Sequence, residues 1–467
     1  MKKILSTLIF IGLSLSSFAQ ISQDDANSIV NKYIESEKLT AGYWLYTFNS
    51  IMTKSLEIRL ISSEIKSPDY EAWTYFLDEE PFTNWSHDCR YIFVNKVNGK
   101  LTIQKEKFPP SDMNKWTIIT ELPKIPKGKK FDFNTTIKST LKSGLTPSNC
   151  YAVIISGGID RTRNWERYWN DCSAIYSTLV NVYDYLDDHI YVLISDGTDP
   201  ADDMQLNDFT FQSSPLDLDG DGDNDIQFSA TSANITNVFN TLSGILDSDD
   251  YLFIFSTDHG GQDTGDDVFI CLWGENMDDN DFATEVNKVN AGEISIVMEQ
   301  CHSGGFVSDL SAEGRVIATA CTADENSEAM PPDYTYNEFV FHWTAAVAGQ
   351  DPDGNPIDAD SDNDGFVSMQ EAFEYAEAED SRPDETPQYN STKDYLGANL
   401  TLLGYELCIT ENVHNETINS DRTIENCNVD IDNVTIQNNA NVVIDADNGV
   451  TIQKDFEVKV GSTLEIK

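Results

Sequence analysis

A thiol and an imidazole follow two separate apolar runs of the sequence. Cys301 lies in the stretch MEQCHSGGF, and His259 lies in the stretch STDHGG. A cysteine thiolate can attack a carbonyl carbon while an imidazole manages the proton of the leaving group. Glycines follow both residues, and the backbone amides of Gly260 and Cys301 are candidates for an oxyanion hole. The residue types indicate nucleophilic catalysis, with Cys301 as nucleophile and His259 as acid and base.

His302 is the competing candidate for the base. Adjacent residues that leave a strand point in different directions, so His302 is poorly placed to reach the sulfur of its neighbour. We expect a supporting or structural role for His302. Two further cysteines near these loops, Cys271 and Cys321, are interpreted as buried thiols.

Short, continuous apolar runs alternate with helical patterns between residues 150 and 320. Such runs are typical of strands buried on both faces of a parallel sheet, and the alternation predicts a doubly wound α/β domain. The active site of such a domain lies at the carboxyl ends of its strands. The predicted strands are 151–156, 190–195, 251–257, 294–300 and 315–320. The predicted helices include 166–186, 235–246 with Asn234 as N-cap, and 281–289.

His259 and Cys301 each follow one of these predicted strands. They are 42 residues apart, which is enough for one crossover connection that contains a helix. Because a crossover returns the chain parallel to the first strand, the two strands can be neighbours. We therefore expect both loops to meet at one edge of the sheet.

The stretches FIFSTDHGG and IVMEQCHSGG resemble the histidine and cysteine loops of the caspase-like cysteine peptidases. The resemblance is closest to the legumain family, which has a similar DHG and a glutamate two residues before the cysteine. CHSGG itself is closer to the metacaspase version. The blocks YAVIISGG, NDCSAIYSTLV and RVIATACTADENSEA extend the resemblance over residues 150–330. It implies a three-layer α/β/α domain with a mainly parallel sheet, and cysteine endopeptidase activity without a catalytic cofactor.

One position departs from the legumain pattern. Legumains have an asparagine after the first strand that orients the histidine, and Ile159 occupies that place here. Asp160 is adjacent and could replace the asparagine. Otherwise Cys301 and His259 would act as a dyad.

The sequence leaves two alternatives for the substrate residue that precedes the cleaved bond. Glu299 and Cys301 are two apart on one predicted strand, so their side chains should share a face. In the resembled families this acidic position lines the substrate pocket. It suits Arg or Lys in metacaspase-like enzymes, and in legumains it works with an arginine to hold Asn or Asp. We expect Glu299, Asp324 and Arg167 to bind the substrate, with overall similarity favouring the legumain alternative.

The stretch DSDNDGFVSMQE matches a twelve-residue EF-hand calcium loop. Its predicted ligands are Asp360, Asp362, Asp364, the carbonyl group of Phe366, Ser368 and Glu371. A shorter relative, DLDGDGDND, has the acids Asp217, Asp219, Asp221 and Asp225 at matching spacing, although Phe228 takes its twelfth position. Carboxylates this close repel one another unless a cation binds them. We expect calcium to stabilise or activate the peptidase.

Composition and charge limit the partners. The chain has 79 acidic and 30 basic residues among 467, a formal net charge of −49. Nucleic acid and anionic membranes are disfavoured as partners because they carry charge of the same sign. Residues 1–19 predict a secretory signal peptide, and no later apolar run is long enough to span a bilayer. We expect an exported protein that acts on proteins or peptides, secreted or held at the cell surface after periplasmic transit. Among its eight cysteines, Cys408 with Cys427 is the most plausible disulfide.

The sequence predicts four segments. They are the signal peptide at 1–19, a small α+β domain at 20–147, the peptidase domain at 148–408 and a β-rich tail at 409–467. The α+β domain has a predicted helix at 24–37 and a hairpin around Asn98-Gly99, but no chemical constellation. We predict that it is a propeptide or accessory domain that restrains the peptidase.

The tail contains two 16-residue repeats, at 434–449 and 450–465. Ile436, Ile444, Ile452 and Val460 recur every eight residues, which predicts a β-solenoid or a small sandwich for sorting or adhesion. Two other functions are compatible with the sequence. One is a non-catalytic calcium-dependent adhesion protein, and the other is a transpeptidase or ligase that uses the same cysteine.

Overall fold

A computed structural model describes the chain over residues 20–39, 42–61, 63–84, 87–120, 124–131, 133, 146–207, 209–262, 267–405 and 410–467. The predicted signal peptide and Cys408 lie outside the described residues. The chain divides into two compact units. The N-terminal unit is Met1–Pro81 with His87–Leu122, and the main unit is Phe82–Ser86 with Pro123–Lys467. Among the helices in the described ranges, none has the length and apolar character that crossing a bilayer requires.

The N-terminal unit consists of one helix and an antiparallel sheet. The helix α1 (Gln23–Glu37) begins at Ser22, whose side chain forms a capping box with Asp25. The strands are β1 (Trp44–Phe48), β2 (Glu57–Arg59), β3 (Glu64–Lys66), β4 (Ala72–Asp78), β5 (Cys89–Asn95), β6 (Leu101–Glu106) and β7 (Trp116–Ile118). Five of them form a sheet in the order β6-β5-β4-β1-β7, and β2 pairs with β3. The apolar side of α1 packs on residues of β1, β4 and β5.

The predicted hairpin joins β5 to β6, but its loop is wider than an Asn98-Gly99 turn. The last pair before the loop is Asn95 with Lys100, joined by a hydrogen bond of 2.9 Å from the Asn95 amide to the Lys100 carbonyl. Asn95 also turns its side chain back to accept from the amides of Val97 and Asn98. The loop therefore contains residues 96–99, and Gly99 takes a φ of 69°.

The main unit is built on a six-stranded, largely parallel sheet. Before the tail, the strands of the main unit, including those outside this sheet, are β8 (Cys150–Ser156), β9 (Ile190–Ile194), β10 (Met204–Gln205), β11 (Phe211–Gln212), β12 (Tyr251–Thr257), β13 (Gly260–Gln262), β14 (Val268–Leu272), β15 (Glu275–Asp278), β16 (Glu293–Met298), β17 (Arg315–Thr319), β18 (Gln388–Ser391), β19 (Leu400–Thr401) and β20 (Gly404–Tyr405). Its helices are α2 (Glu166–Asn181), α3 (Ser232–Leu242), α4 (Asp279–Val286), α5 (Val307–Leu310), α6 (Glu338–Ala348), α7 (Met369–Glu379) and α8 (Asp394–Asn399). The sheet order is β18-β17-β16-β12-β8-β9, and β18 is its antiparallel strand. The prediction of a mixed α/β domain with a mainly parallel sheet is confirmed.

Both faces of this sheet are buried. Phe253 and Phe255 of β12 belong to one core cluster with residues of α2, α6 and α7. Leu252 and Ile254, which point the other way, belong to a second cluster with residues of α3 and α4. This arrangement explains why the strands are continuous apolar runs in the sequence.

Two helix boundaries differ from the predictions. The N-cap of α3 is Thr231, whose hydroxyl accepts from the Asn234 amide, and not Asn234 itself. The Asn234 side chain instead donates to Ser229. The helix α2 ends at Asn181, because Asp184 takes a left-handed φ of 55° and turns the chain.

The tail is a stack of parallel strands. They are β21 (Thr410–His414), β22 (Thr417–Ile418), β23 (Arg422–Asp432), β24 (Thr435–Ile436), β25 (Asn441–Ile452), β26 (Glu457–Val458) and β27 (Thr463–Ile466). They form two parallel sheets, ordered β21-β23-β25-β27 and β22-β24-β26. Thr417 lies beside Thr435 and Thr435 beside Glu457. One coil, meaning the stretch of chain between two such paired residues, is therefore 18 residues long and the next is 22. The coils therefore do not follow the 16-residue repeat, and Ile452 and Val460 are exposed while Ile436 and Ile444 are buried.

Candidate active site

The loops that carry His259 and Cys301 leave the main sheet side by side. Strands β12 and β16 are parallel neighbours, and Ser256 pairs with Met298 near their carboxyl ends. Gly260 lies directly against the cysteine loop, because a Cβ atom there would be 2.2 Å from the carbonyl oxygen of Cys301. The two loops touch at one edge of the sheet, and glycine is required at the point of contact.

The imidazole of His259 is oriented by a backbone carbonyl group. Its Nε2 lies 3.0 Å from the carbonyl oxygen of Arg163. Because a carbonyl oxygen only accepts, Nε2 carries the proton, and Nδ1 is the nitrogen that can take a second one. Asp160 does not replace the missing asparagine directly. It accepts from Thr162 and from the guanidinium of Arg163, and so holds the loop that presents the Arg163 carbonyl.

Asp258, just before the histidine, has an unusual backbone with a φ of 113°. Its carboxylate accepts from the His259 amide at 2.7 Å and from the Ser156 hydroxyl at 2.9 Å. Burial raises the pKa of Asp258 to about 7, against the opposing effect of these hydrogen bonds. The bonds hold the strained residue in place and with it the position of His259.

The thiol of Cys301 faces a carbonyl group of the main unit. Its Sγ lies 2.7 Å from the carbonyl oxygen of Asn84, and the Ser327 amide donates to it at 3.4 Å. The side chain is fully buried. Burial raises the pKa of Cys301 well above its usual range, so the sulfur is a protonated thiol in this arrangement.

The side chain of Asn84 fills a polar pocket beside the thiol. Its Oδ1 accepts from the guanidinium of Arg167 at 2.9 Å and from the hydroxyl of Tyr168. Its Nδ2 donates to the hydroxyl of Ser327 at 2.9 Å and to Oδ1 of Asn337 at 3.4 Å. The two ends of the carboxamide are thus recognised by different groups.

The orientation of Asn337 is set by a buried acid behind the pocket. Its Nδ2 donates to Asp171 at 2.6 Å and to Thr257 at 3.1 Å, and its amide donates to Asp171 at 3.2 Å. These bonds turn Oδ1 of Asn337 toward Arg167 and Asn84. Burial raises the pKa of Asp171 to about 7.

Of the three predicted substrate-binding residues, Arg167 is in the pocket and the other two are elsewhere. Glu299 accepts from the amide of Val340 near the start of α6, and in the described chain no hydrogen bond joins it to Asn84. It is fully buried, and burial raises its pKa well above the usual range. Asp324 is exposed and accepts from Gln262. Because β16 ends at Met298, strand alternation does not continue to Cys301 and cannot by itself bring Glu299 to the thiol, so substrate binding by Glu299 stays a prediction.

His302 turns away from the sulfur. It has a left-handed φ of 62°, its amide donates to Glu325, and its Nδ1 lies 2.7 Å from the carbonyl oxygen of Ala323. These bonds connect it to the loop that carries Ser327.

The backbone amide of Gly260 is not used in the pairing of strands β13 and β14. Strand β13 pairs antiparallel with β14, and the Cys271 amide donates to the carbonyl of His259. Hydrogen-bonded and non-hydrogen-bonded pairs alternate in such a ladder, so the next pair, Gly260 with Ile270, is non-hydrogen-bonded. The ladder therefore does not use the Gly260 amide, which lies beside the cysteine loop.

Each acidic loop brings three of its predicted ligands together. Carboxylate oxygens of Asp360, Asp362 and Glu371 lie within 4.8 Å of one another, as do those of Asp217, Asp219 and Asp225. Asp364 and Asp221 are outside these groups. Hard oxygen ligands at this spacing suit calcium. Ser368 forms a capping box with Glu371, one of these acids, at the start of α7.

Four residues around Asn84 were not singled out from the sequence. Ser327 lies in the block RVIATACTADENSEA, whose resemblance to a pocket loop was the available signal. Tyr168, Asp171 and Asn337 had no such signal, because single polar residues in helices or loops are common.

Comparison with known proteins finds a family similar to the central part of the chain. Residues 150–358 match the model of the Peptidase C13 family, which confirms the resemblance to a legumain-type cysteine peptidase. Among solved structures, the crystal structure of protein GSU0716 from Geobacter sulfurreducens is 12% identical and has a TM-score of 0.32. The alignment covers 55% of this chain and 97% of that one. Among curated proteins there is no significant match.

Proposed function

From the premise that residues 150–358 form a domain of the Peptidase C13 family, we propose that the protein is an endopeptidase that cleaves after asparagine. The observation that carries this proposal is the position of Asn84. Its carboxamide is held by Arg167 and Ser327, while its carbonyl oxygen lies 2.7 Å from the sulfur of Cys301. A residue in this position is the one before the cleaved bond.

The pocket favours asparagine over the alternatives that the sequence left open. Lysine or arginine would bring a second cation against buried Arg167, and an unpaired buried charge is costly. An aspartate would satisfy Arg167 but would place a second oxygen against Oδ1 of Asn337, where Asn84 donates. Asparagine alone offers an acceptor to Arg167 and a donor to Ser327 and Asn337.

Cys301 and His259 would carry out the reaction. His259 takes the thiol proton on Nδ1 while Arg163 holds Nε2, and the sulfur attacks the substrate carbonyl carbon. The amides of Gly260 and Cys301 would bind the developing oxyanion. His259 then protonates the leaving amine, and water hydrolyses the thioester.

We also propose that calcium binds the two acidic loops and that the protein is exported. The first is supported by the two groups of three carboxylates, and the second by the leader-like residues 1–19. Calcium would take no part in bond cleavage. It would hold the connection before α7 and the loop between β11 and α3.

The test is a cleavage profile on matched peptides that differ only before the bond, with Asn, Asp, Gln, Lys or Arg. We expect the Asn peptide to be cleaved at least ten times faster than any other. Preference for Lys or Arg would contradict the assignment of the pocket. No cleavage of any peptide, by protein that has been given calcium and a reductant, would contradict the peptidase itself.

A further inference from the structure

The residues before and including Asn84 are bound to the main unit as an added strand. The Asn84 amide donates to the Ser327 carbonyl at 3.1 Å, and the Ala329 amide donates to the Phe82 carbonyl at 3.3 Å. Thr83 forms an antiparallel bridge with Glu328. Extended peptides bind to many proteins by such strand addition, with backbone hydrogen bonds giving affinity and side-chain pockets giving specificity.

Two side chains anchor this segment, which we call the inserted segment (Phe82–Asn84). The ring of Phe82 stacks on Tyr334 at a centroid distance of 3.9 Å. Asn84 is fully buried, and every polar atom of its side chain and backbone has a partner in the main unit. This degree of complementarity is typical of a bound substrate.

The reacting atoms are close together. Since the Asn84 carbonyl oxygen is 2.7 Å from Sγ of Cys301 and a C=O bond is about 1.2 Å long, the carbonyl carbon lies within about 4 Å of the sulfur. This upper limit is slightly longer than the separation of about 3–3.5 Å in a near-attack geometry.

We propose that the inserted segment occupies the active site as a substrate of its own chain, and that Cys301 cleaves the peptide bond after Asn84 to open the site. This inference rests on the proposed peptidase function. It adds a processing site within the chain and a reason why the uncut protein would be latent.

The step is an ordinary peptide hydrolysis. His259 takes the proton of the Cys301 thiol, a C–S bond forms at the carbonyl carbon of Asn84, and the C–N bond to residue 85 breaks. The proton passes from His259 to the departing amine. Water then cleaves the thioester, which leaves a carboxylate on Asn84 and restores the thiol.

Cleavage would leave the two chain pieces associated. Strand β4 comes before the inserted segment and β5 after it, and they pair antiparallel over Ala72–Asp78 and Cys89–Asn95. The cut therefore falls in the connection between two neighbouring strands of the N-terminal unit, whose ladder holds the pieces together. Native chromatography should show one species, and a denaturing gel should show two.

The main test follows the purified chain from Gln20 by intact mass and N-terminal sequencing. Wild type should develop a new N-terminus at Trp85, and Cys301→Ala should stay whole. The rate should not change over a tenfold dilution, because the reaction is within one chain. Cleavage at another bond, or a rate that falls tenfold on dilution, would overturn the proposal.

Asn84→Gln tests the link between cutting and latency. The added methylene displaces the carboxamide from its four partners, so we expect no cut and a rate on an added Asn peptide at least tenfold below that of processed wild type. Asn98→Gln, at an exposed asparagine of the N-terminal unit, is the matched control and should be cut normally. Asn84→Asp keeps the shape of the side chain and should be cut more slowly than wild type, which gives a second readout if Asn84→Gln folds poorly.

The outcomes separate this inference from the proposed function. Wild type that cleaves added Asn peptides at full rate while its own chain stays whole would refute the inference and leave the peptidase assignment intact. Wild type that cleaves neither added peptides nor itself would refute both.

Discussion

The pocket around Asn84 and the loop at residues 360–371 are both dense polar clusters, but they are balanced in opposite ways. In the pocket, donors meet acceptors within the chain: Arg167 donates to Asn84, and Asn84 donates to Ser327. In the loop, acceptors meet acceptors, because the oxygens of Asp360, Asp362 and Glu371 converge within 4.8 Å. The polar groups of the pocket are therefore paired within the chain, whereas the loop leaves like charges facing one another.

Burial raises carboxyl pKa values in both kinds of cluster, but the groups around the acids differ. In the 217–225 loop, burial and neighbouring acids raise the pKa of Asp225 to about 6, and burial raises that of Asp219. In the pocket, Asp171 is surrounded by donors from Asn337 and Thr257, and complete burial still raises its pKa to about 7. A bound cation would reverse the shift in the loops, whereas the pocket needs no additional charge. Perturbing each cluster should therefore affect a different property: activity and specificity for the pocket, stability for the loops.

The largest effect is expected from Cys301→Ala. Removal of the nucleophile should lower peptide cleavage by at least on the order of 10³-fold, because the remaining groups can bind but cannot form the thioester. The melting temperature should change by no more than a few degrees. A fluorogenic Asn peptide and a thermal melt measure the two quantities.

Cys271→Ala is the matched control for that prediction. Cys271 is also a buried thiol of the main unit whose pKa is raised by burial. It should retain activity, although its cavity will lower stability. Wild-type turnover in Cys301→Ala would refute the catalytic assignment.

Arg167→Met should have the next largest effect. It removes the charged donor to Oδ1 of Asn84 and leaves Tyr168 as the remaining donor to that oxygen. Losing a buried charge-assisted hydrogen bond costs about 2–3 kcal/mol, which lowers kcat/KM for Asn peptides about 10²-fold. Arg161→Met, at an exposed arginine that lies over Phe211, should leave kcat/KM near the wild-type value. Equal losses in both variants would show that the effect is not specific to the pocket.

The frame of this site was predictable from sequence, and the pocket was not. Strand β12 is entirely buried, so it appears in the sequence as an uninterrupted apolar run that ends just before His259. The apolar run of β16 likewise ends just before the loop that carries Cys301. The loops of neighbouring parallel strands then had to meet at one edge of the sheet.

The pocket was hidden because its contacts are distant in sequence and have no period. Asn84 is 217 residues from Cys301, and Arg167 is 170 residues from Asn337. A hydrogen bond between single polar side chains leaves no repeating pattern, unlike an apolar face. The alternation argument for Glu299 has a related limit, since it extends beyond Met298, the last residue of β16. The 16-residue sequence repeat of the tail was also misleading. Paired strands of successive coils are 18 and 22 residues apart in the sequence, so the coils do not follow that repeat.

Asp171→Asn should change specificity more than rate. The carboxylate of Asp171 accepts from Asn337, which turns the Asn337 oxygen toward Asn84, the proposed substrate residue. An amide at residue 171 can donate as well as accept, so Asn337 can rotate and offer its NH₂ group to an Asp substrate. We expect the preference for Asn over Asp peptides to fall by about tenfold, the equivalent of about 1.4 kcal/mol.

The same residue predicts a dependence on pH. Since the pKa of Asp171 is raised to about 7, the carboxylate is ionised above that value and becomes protonated as pH falls through it. The wild-type preference for Asn should thus be greatest above about pH 7 and decline below it, and the variant should show little change. The ratio of kcat/KM for matched Asn and Asp peptides between about pH 5.5 and 8 measures this, because an Asp substrate, with a usual pKa of about 3.9, stays ionised throughout. A wild-type ratio that is constant over this range would contradict the role of Asp171.

The effect on peptide cleavage should be smallest for calcium at the 360–371 loop, on the other side of the comparison, where the expected change is in stability. Without a cation, Asp360, Asp362 and Glu371 hold their charges close together, which disfavours the folded state. Free calcium at 100 times its Kd would stabilise the fold by about 2.7 kcal/mol per site, so a chelator should lower the melting temperature by several degrees. Glu371→Gln should reproduce part of that loss and reduce the response to calcium. Glu374→Gln, one turn further along α7 and bonded to Gln370, removes the same charge outside the loop and should respond as wild type does. If the melts with calcium and with chelator coincide, these carboxylates do not bind calcium, and their repulsion is tolerated by exposure to water.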